Sequence, residues 1–161
     1  LQALTPAGLR ELFAGAAGIA GDIPERLGSL RFRPVEGFMK GFIDLVFEHG
    51  GRFYLVDWKS NHLGARAEHY GAEALAAVMG EDLYVLQYHL YAVALHEYLK
   101  GRLRDYDYDR HFGGVFYVFL RGVDPALGPG FGIFRDRPDR QLVETLAEGL
   151  VARPCCGGEK S

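Results

Sequence analysis

Two apolar segments on either side of a two-glycine turn constrain the fold of this chain more than any other feature of its sequence. Residues 38–47 and 53–58 are rich in aromatic and β-branched side chains, which favour strands. Between them, Gly50 and Gly51 supply the positive backbone φ angles that a tight hairpin turn requires. Apolar and polar residues alternate over residues 30–33, which fits a further strand. The region is therefore predicted to be a β-meander.

Outside this region, the apolar residues recur mainly at the three- and four-residue steps that are typical of helices. The predicted elements are a helix at 6–16, helices at 67–79 and 82–99 separated by Gly80 and ended by Gly101, a buried strand at 113–120, an edge strand at 131–134 and a helix at 138–151 with Asp136 or Arg137 near its cap. This order predicts an α/β or α+β architecture, in which a mixed sheet carries helices on its faces.

The length and composition fit one globular domain. The chain has 161 residues and a hydrophobic content of 48%, which is enough to bury a sizeable core. Its formal net charge of −3 is not that of a usual nucleic-acid binder, but does not exclude one, because a protein that binds divalent cations must concentrate carboxylates where those cations bind. The only cysteines, Cys155 and Cys156, are adjacent, which argues against a thiolate zinc site and favours a reducing compartment.

The two ends of the chain carry separate expectations. We expect residues 1–153 to form a single domain and residues 154–161 to be a disordered tail. The only methionines are Met39 and Met79, so we expect the chain to be a piece of a longer protein that lacks preceding residues. No apolar run approaches the length of a membrane span and no signal-peptide pattern is present, so no membrane partner is expected.

Two aspartates in the apolar hairpin are the first candidates for chemistry. Asp44 is predicted to stand inside an apolar strand, and Asp57 to end the next strand. Burying an unpaired carboxylate is costly, and two neighbouring carboxylates raise each other's pKa. A divalent cation between them would resolve both problems, and magnesium suits a site with few carboxylates and room for water and phosphate oxygens.

Lys59 follows Asp57 by two positions, so both side chains are predicted to project from the same side of their strand. An ammonium beside a metal-bound carboxylate can orient an attacking water or neutralise charge that develops on a phosphate. The carbonyl of Trp58 lies between them and is a further candidate oxygen ligand. The alternative is a simple salt bridge between Asp57 and Lys59 at a strand end, with Asp44 capping a turn.

Gln87 and Tyr91 are four residues apart on a predicted helix and share a face. The pair is a candidate for holding a phosphate or a base edge over the site, and the alternative is a half-exposed polar stripe. His89 and His96 are interpreted as satisfied surface or core residues rather than metal ligands.

Taken together, these residues resemble the C-terminal nuclease domain of the RecB family, the beta subunits of bacterial exodeoxyribonuclease V, within the PD-(D/E)xK nuclease superfamily. The resemblance runs from about residue 35 to about residue 137, and the stretches that carry it are Gly37–Phe47, Tyr54–Gly64, Leu86–Tyr91, Asp105–Tyr108 and His111–Asp124.

The resemblance implies a restriction-endonuclease-like core with a mixed central β-sheet flanked by helices. It implies that Asp44 and Asp57 are metal ligands, that the Trp58 carbonyl is a further ligand and that Lys59 is the catalytic lysine. It also implies that Gln87 and Tyr91 form the family's helical Gln-x-x-x-Tyr motif beside the active site.

The chain departs from the family at one metal ligand. The family has a histidine ligand on a helix well before the first acid, whereas the first histidine here is His49. We therefore expect an incomplete metal shell and an isolated chain with little or no activity. No phosphate-binding Gly-x-x-x-x-Gly-Lys-[Ser/Thr] loop is present, so ATP dependence would belong to a larger subunit.

The favoured hypothesis is a magnesium-dependent exodeoxyribonuclease domain of a recombinational repair helicase–nuclease, in which Mn²⁺ can replace Mg²⁺ and Ca²⁺ inhibits. Its expected partners are single- and double-stranded DNA ends, sister subunits of an exodeoxyribonuclease V complex and a strand-exchange recombinase, in the bacterial cytoplasm at the nucleoid. The alternative is a catalytically incomplete docking module that binds a recombinase or sister subunits.

Overall fold

Four strands form one mixed sheet in the order β1–β2–β3–β4. The computed structural model describes residues 5–16, 19, 21–31 and 40–150. The strands are β1 (Leu45–His49), β2 (Arg52–Lys59), β3 (Phe112–Phe119) and β4 (Ile133–Asp136). β1 and β2 pair antiparallel, β2 and β3 pair parallel, and β3 and β4 pair antiparallel.

Helices flank this sheet, and their core residues form one apolar cluster with those of β2 and β3. The helices are α1 (Pro6–Ala14), α2 (Ile23–Gly28), α3 (Ala72–Glu81), α4 (Tyr84–Arg102), α5 (Tyr108–His111) and α6 (Arg140–Leu150), with a 3₁₀ turn at Ala67–Tyr70 before α3. The predicted fold class, a mixed central sheet flanked by helices, is confirmed.

The hairpin forms at the predicted glycines, but its first strand is shorter than expected. The pair His49–Arg52 closes the turn, and Gly50 and Gly51 have φ angles of 59° and 76°. β1 begins only at Leu45, so the prediction that Asp44 lies inside a strand is wrong. The strand predicted at 30–33 falls partly on residues 32–39, which lie outside the described residues.

The helices that connect β2 to β3 do not end at the predicted residues. α3 continues through Gly80, which is buried against Ile23, and the break falls at Leu83 with a left-handed φ of 55°. α4 likewise continues through Gly101 and ends at Arg102. A glycine marks a helix end only where the chain needs its conformational freedom, and these two glycines have ordinary helical backbone.

Asp139, rather than Asp136 or Arg137, caps the last helix. Its carboxylate accepts the backbone N–H of Leu142 at 3.0 Å. Asp136 is engaged elsewhere, since it accepts a hydrogen bond of 2.6 Å from the hydroxyl of Tyr88 on α4. That bond ties the long helix to the edge strand β4.

The two faces of the sheet differ in burial. Leu55, Val115 and Phe119 point into the helical cluster and are at most 3% exposed. On the other face, Phe47 and Tyr54 stack with ring centroids 5.0 Å apart, and Phe47 remains 37% exposed. The functional residues described below lie on the helix-covered face or at the end of β1.

Burial of His89 makes the stability of the domain depend on pH. The ring packs edge-on against Phe13 and bonds the carbonyl of Val85 through Nδ1 at 2.7 Å, and its burial lowers its pKa. The unfolded chain therefore binds more protons below the ordinary histidine pKa of about 6.5. We expect the free energy of unfolding to fall as the pH drops from about 7 to about 5.

Urea denaturation at several pH values checks this expectation. His89→Phe removes the titrating ring and should flatten the acidic slope, whereas the exposed control His62→Phe should leave it unchanged. Equal slopes for the wild type and His89→Phe would contradict the assignment.

Two glycines with left-handed backbone give a matched test of the close approach between the turn after β3 and the residue before β4. Gly132 has φ 72°, and a Cβ there would lie 2.5 Å from the carbonyl carbon of Gly122. Gly128 has φ 75° with open space around it. We expect Gly128→Ala to cost about 1 kcal/mol of unfolding free energy and Gly132→Ala about 3 kcal/mol or more. Thermal denaturation of the two variants measures the difference, and similar losses would refute the close approach.

Candidate active site

Asp57 and Lys59 form a buried ion pair on the helix-covered face of β2. Both follow Leu55 at two-residue spacing, so the pleat points all three side chains to the same side. Asp57 is 6% exposed and Lys59 9%, and Nζ lies 2.8 Å from Oδ2 of Asp57. Trp58 points to the opposite face and is 46% exposed. The predicted shared orientation of Asp57 and Lys59 is confirmed.

Asp44 lies beside this pair at the end of the hairpin. Leu45 pairs with Val56, so continuing the register by one position places Asp44 opposite Asp57. The Asp44 side chain is exposed, and its Oδ2 accepts the backbone N–H of Trp58 at 2.9 Å. β2 extends beyond the last pair of β1, and the Asp44 carboxylate satisfies an N–H that a longer β1 would have bonded. Asp44 therefore bonds β2 through its side chain rather than through its backbone, and it is not part of β1.

The carbonyl of Trp58 faces the same edge of β2 as Asp44. The N–H and C=O of a strand residue point to one side, and the N–H of Trp58 is directed at Asp44. The next carbonyl, that of Lys59, points the other way and accepts the N–H of Leu120 after β3. Trp58 therefore presents its carbonyl oxygen on the side of the first acid.

These oxygen atoms suit a hard divalent cation. Asp44 and Asp57 each have one carboxylate oxygen without a hydrogen bond from the described residues, and the Trp58 carbonyl adds a neutral oxygen. Carboxylate and carbonyl oxygens are the ligands that Mg²⁺ and Ca²⁺ take in proteins. Within the described parts of the chain, no group of three or more His, Cys, Asp or Glu side chains converges as a metal site.

Gln87 and Tyr91, the predicted pair on α4, lie against the ion pair. Oε1 of Gln87 accepts a hydrogen bond of 3.0 Å from Nζ of Lys59, and Nε2 of Gln87 donates to the Tyr91 hydroxyl at 3.2 Å. A Cβ at Gly41 would lie 3.2 Å from the Tyr91 ring, so the chain leading to Asp44 passes close to this helix. The structure therefore brings all the predicted site residues to one place.

Two tyrosines that the sequence reasoning missed complete the surroundings of Lys59. Nζ lies 3.7 Å from the ring centroid of Tyr84 and 4.9 Å from that of Tyr117. The Tyr117 hydroxyl donates a second hydrogen bond to Oε1 of Gln87 at 2.9 Å. Tyr84 precedes Gln87 by three positions and so shares its helix face, a signal that was available in the sequence. Tyr117 carried no such signal, because it stands in a uniformly apolar strand.

The Tyr117 hydroxyl stays protonated at neutral pH. Burial is the main cause of its raised pKa, and the nearby Asp57 carboxylate raises it further. The Lys59 ammonium has no acceptor, so the Gln87 atom that faces it must be the carbonyl oxygen, and the Tyr117 hydroxyl donates to that same oxygen. Gln87 is thus held with its carbonyl oxygen toward the lysine and its amide nitrogen toward Tyr91.

The histidines of α4 lie outside this site. His89 and His96 are 1% and 5% exposed, and Nδ1 of His96 lies 3.1 Å from the Tyr106 hydroxyl. Their interpretation as satisfied core residues is confirmed. His62 is exposed on the loop after β2.

Comparison with known proteins agrees with this geometry. The family model of the PD-(D/E)XK nuclease superfamily matches residues 5–153. The chain belongs to this nuclease superfamily. The relatives described next make it a RecB-like member.

Several named relatives resemble this nuclease domain. It is 53% identical over 119 residues to the RecBCD enzyme subunit RecB of Escherichia coli K12, covering 74% of the chain and 10% of that protein. It is 48% identical over 118 residues to the RecB subunit of Haemophilus influenzae Rd, covering 73% of the chain and 10% of that protein. With the RecB subunit of Mycobacterium tuberculosis H37Rv it shares 42% identity over 148 residues, covering 84% of the chain and 14% of that protein. The chain thus spans about a tenth of the length of the first two relatives.

Among the described helices, none is both long enough and apolar enough to cross a membrane.

Two substitutions of Asp44 distinguish the stabilising effect of its hydrogen bond with the Trp58 N–H from the effect of its negative charge. Asp44→Asn keeps an oxygen that can accept the Trp58 N–H, whereas Asp44→Ala removes it. We expect Asp44→Ala to lower the free energy of unfolding by about 1 kcal/mol and Asp44→Asn to stay near the wild type. Urea denaturation measures both. Equal stability of the two variants would show that the contact contributes nothing.

Proposed function

We propose that this chain is the metal-dependent DNA-cleaving domain of a recombinational repair helicase–nuclease. The reaction is hydrolysis of phosphodiester bonds, with exonucleolytic processing of single- and double-stranded ends at double-strand breaks. The proposed cofactor is Mg²⁺, with Mn²⁺ as a substitute and Ca²⁺ as an inhibitor. The proposal rests on membership of the nuclease superfamily and on the RecB names of the relatives.

One geometric observation carries the proposal. Asp44 stands opposite Asp57, and the Lys59 ammonium lies 2.8 Å from Asp57 on the same strand. Two carboxylates and one ammonium thus lie together at the end of a hairpin. Asp44 is exposed there, so a large substrate can reach it from solvent.

Each group of the site has a separate role in the proposed reaction. Asp44, Asp57 and the Trp58 carbonyl hold the divalent cation. That cation, when bound, lowers the pKa of a water molecule and polarises the scissile phosphate. Of the three N–H donors of Lys59, one goes to Asp57 and one to Gln87, which leaves one for an attacking water or a phosphate oxygen. The positive charge of Lys59 offsets negative charge that develops on the phosphate.

Gln87 and Tyr91 are proposed to face the substrate. The Tyr91 hydroxyl accepts from Gln87 and keeps its own proton available for a phosphate or base edge. The proposed protein partners are sister subunits of an exodeoxyribonuclease V complex and a strand-exchange recombinase, and the proposed location is the bacterial cytoplasm at the nucleoid. The alternative of a catalytically incomplete docking module has no support from the comparisons.

Single substitutions at the two charged positions test the function. In the helicase–nuclease that contains this domain, we expect degradation of linear single-stranded DNA in Mg²⁺ or Mn²⁺. Asp57→Asn and Lys59→Met should each reduce the initial rate by about a hundredfold or more. The control Asp105→Asn removes an exposed carboxylate away from the site and should keep the wild-type rate. Activity that survives Asp57→Asn would reject the proposal.

Calorimetric titration with Mn²⁺ separates metal binding from chemistry. Asp44→Asn and Asp57→Asn should weaken binding, because each removes a charged oxygen ligand. Lys59→Met should bind Mn²⁺ at least as tightly as the wild type, because it removes a nearby positive charge. Loss of binding in Lys59→Met alone would contradict the assigned roles.

A further inference from the structure

Tyr84 has a contact with the catalytic centre that neither the family motif nor the proposed mechanism uses. Its ring lies beside the Lys59 ammonium, with Nζ 3.7 Å from the ring centroid. This is well inside the distance of about 6 Å at which an aromatic ring attracts a cation. Lys59 is 9% exposed, so little water competes with the ring for its charge.

Besides the Tyr117 ring at 4.9 Å, three closer groups contact the Lys59 ammonium. Asp57 supplies a carboxylate at 2.8 Å, Gln87 an amide oxygen at 3.0 Å and Tyr84 the face of its ring. A lysine side chain has a flexible four-carbon stem, and two hydrogen bonds alone leave it free to swing about them. A ring is a far weaker hydrogen-bond acceptor than a carboxylate, so the third N–H remains available for water or phosphate.

The position of the Tyr84 ring is itself fixed. Its hydroxyl lies 3.2 Å from Nδ2 of Asn61, and the same nitrogen donates to Asp82 at 3.2 Å. Its ring packs on that of Tyr117, with centroids 5.8 Å apart. The loop after β2, the start of α4 and the strand β3 thus converge on one aromatic side chain.

We propose that Tyr84 is a positioning residue of the nuclease, whose ring holds the Lys59 ammonium in its working orientation between Asp57 and Gln87. The inference rests on the proposed function for the role of Lys59. The ring, not the hydroxyl, carries the effect. Tyr84→Phe should therefore behave like the wild type, whereas Tyr84→Leu should release the ammonium.

Lysine side-chain NMR tests the contact without any need for DNA cleavage. The chain has four lysines, Lys40, Lys59, Lys100 and Lys160, so a sample labelled with ¹³C-lysine gives a sparse spectrum. Protons beside the face of a ring resonate upfield, and loss of one signal in Lys59→Arg assigns the shifted resonance. We expect the upfield εCH₂ signal of Lys59 in the wild type and Tyr84→Phe, and a clear downfield move of that signal in Tyr84→Leu. The Tyr117 ring, 4.9 Å from Nζ, accounts for any upfield shift that remains.

A matched control comes from the same helix. Tyr98 is 58% exposed on α4 and has the Arg102 guanidinium over its ring at 5.3 Å. Tyr98→Leu removes a cation–ring contact of the same kind away from the site, and it should leave the Lys59 signal unchanged. A Lys59 signal that stays in place in Tyr84→Leu would overturn the proposal, as would a signal that moves equally in Tyr84→Phe.

Kinetics under single-turnover conditions add the functional readout. Tyr84→Leu should lose about tenfold in the cleavage rate constant with little change in DNA affinity, and Tyr84→Phe should restore the rate. These rates are measured in the helicase–nuclease that contains this domain. If that protein cleaves no DNA, the result counts against the proposed function, while the NMR comparison still decides the contact. A rate loss shared by Tyr84→Leu and Tyr84→Phe would overturn the positioning role.

Discussion

The parallel pairing of β2 with β3 is the constraint on which the rest of the structure depends. Parallel neighbours cannot be joined by a tight turn, so the chain must leave the sheet after Lys59 and return at Phe112. The crossover carries α3 and α4 and lays the long helix over the face of β2 that bears the charged pair. Gln87 reaches Lys59 because of this path, and β3 brings Tyr117 to the same point from the other side.

The two acids of the site are held in different ways, although both belong to one hairpin. Asp57 is buried and paired with an ammonium, which offsets the cost of removing its charge from water. Asp44 is exposed and fixed by a single backbone N–H. One carboxylate is therefore part of the folded interior, and the other is an accessible group at its border. A cation bound between them would contact the buried Asp57 on one side and the solvent-exposed Asp44 on the other.

The sequence predicted the features that depend on local chemistry. Gly50 and Gly51 identified the hairpin, two-residue spacing placed Asp57 beside Lys59, and four-residue spacing placed Gln87 beside Tyr91. Errors arose where tertiary contacts accompany a departure from local preference: Gly80 continues α3 and is buried beside Ile23. Asp44 was wrongly predicted to lie in a strand, because its contact with Trp58 forms only when the two segments meet. Tyr84 and Tyr117 were not predicted, because each contacts Lys59 only in the folded chain. The roles of Asp44, Asp57, Lys59, Gln87 and Tyr91 in catalysis stay predictions.

The wide separation of these segments along the chain has a consequence for the newly made protein. Asp57 and Lys59 need only a short local strand to come together, but Gln87 lies 28 positions from Lys59, and Tyr117 a further 30 from Gln87. Contacts between such distant residues form late, after the cost of closing the intervening loops has been met. A nascent or partly folded chain therefore carries the acid–lysine pair without the groups that surround it. Assembly of the candidate site thus coincides with completion of the fold.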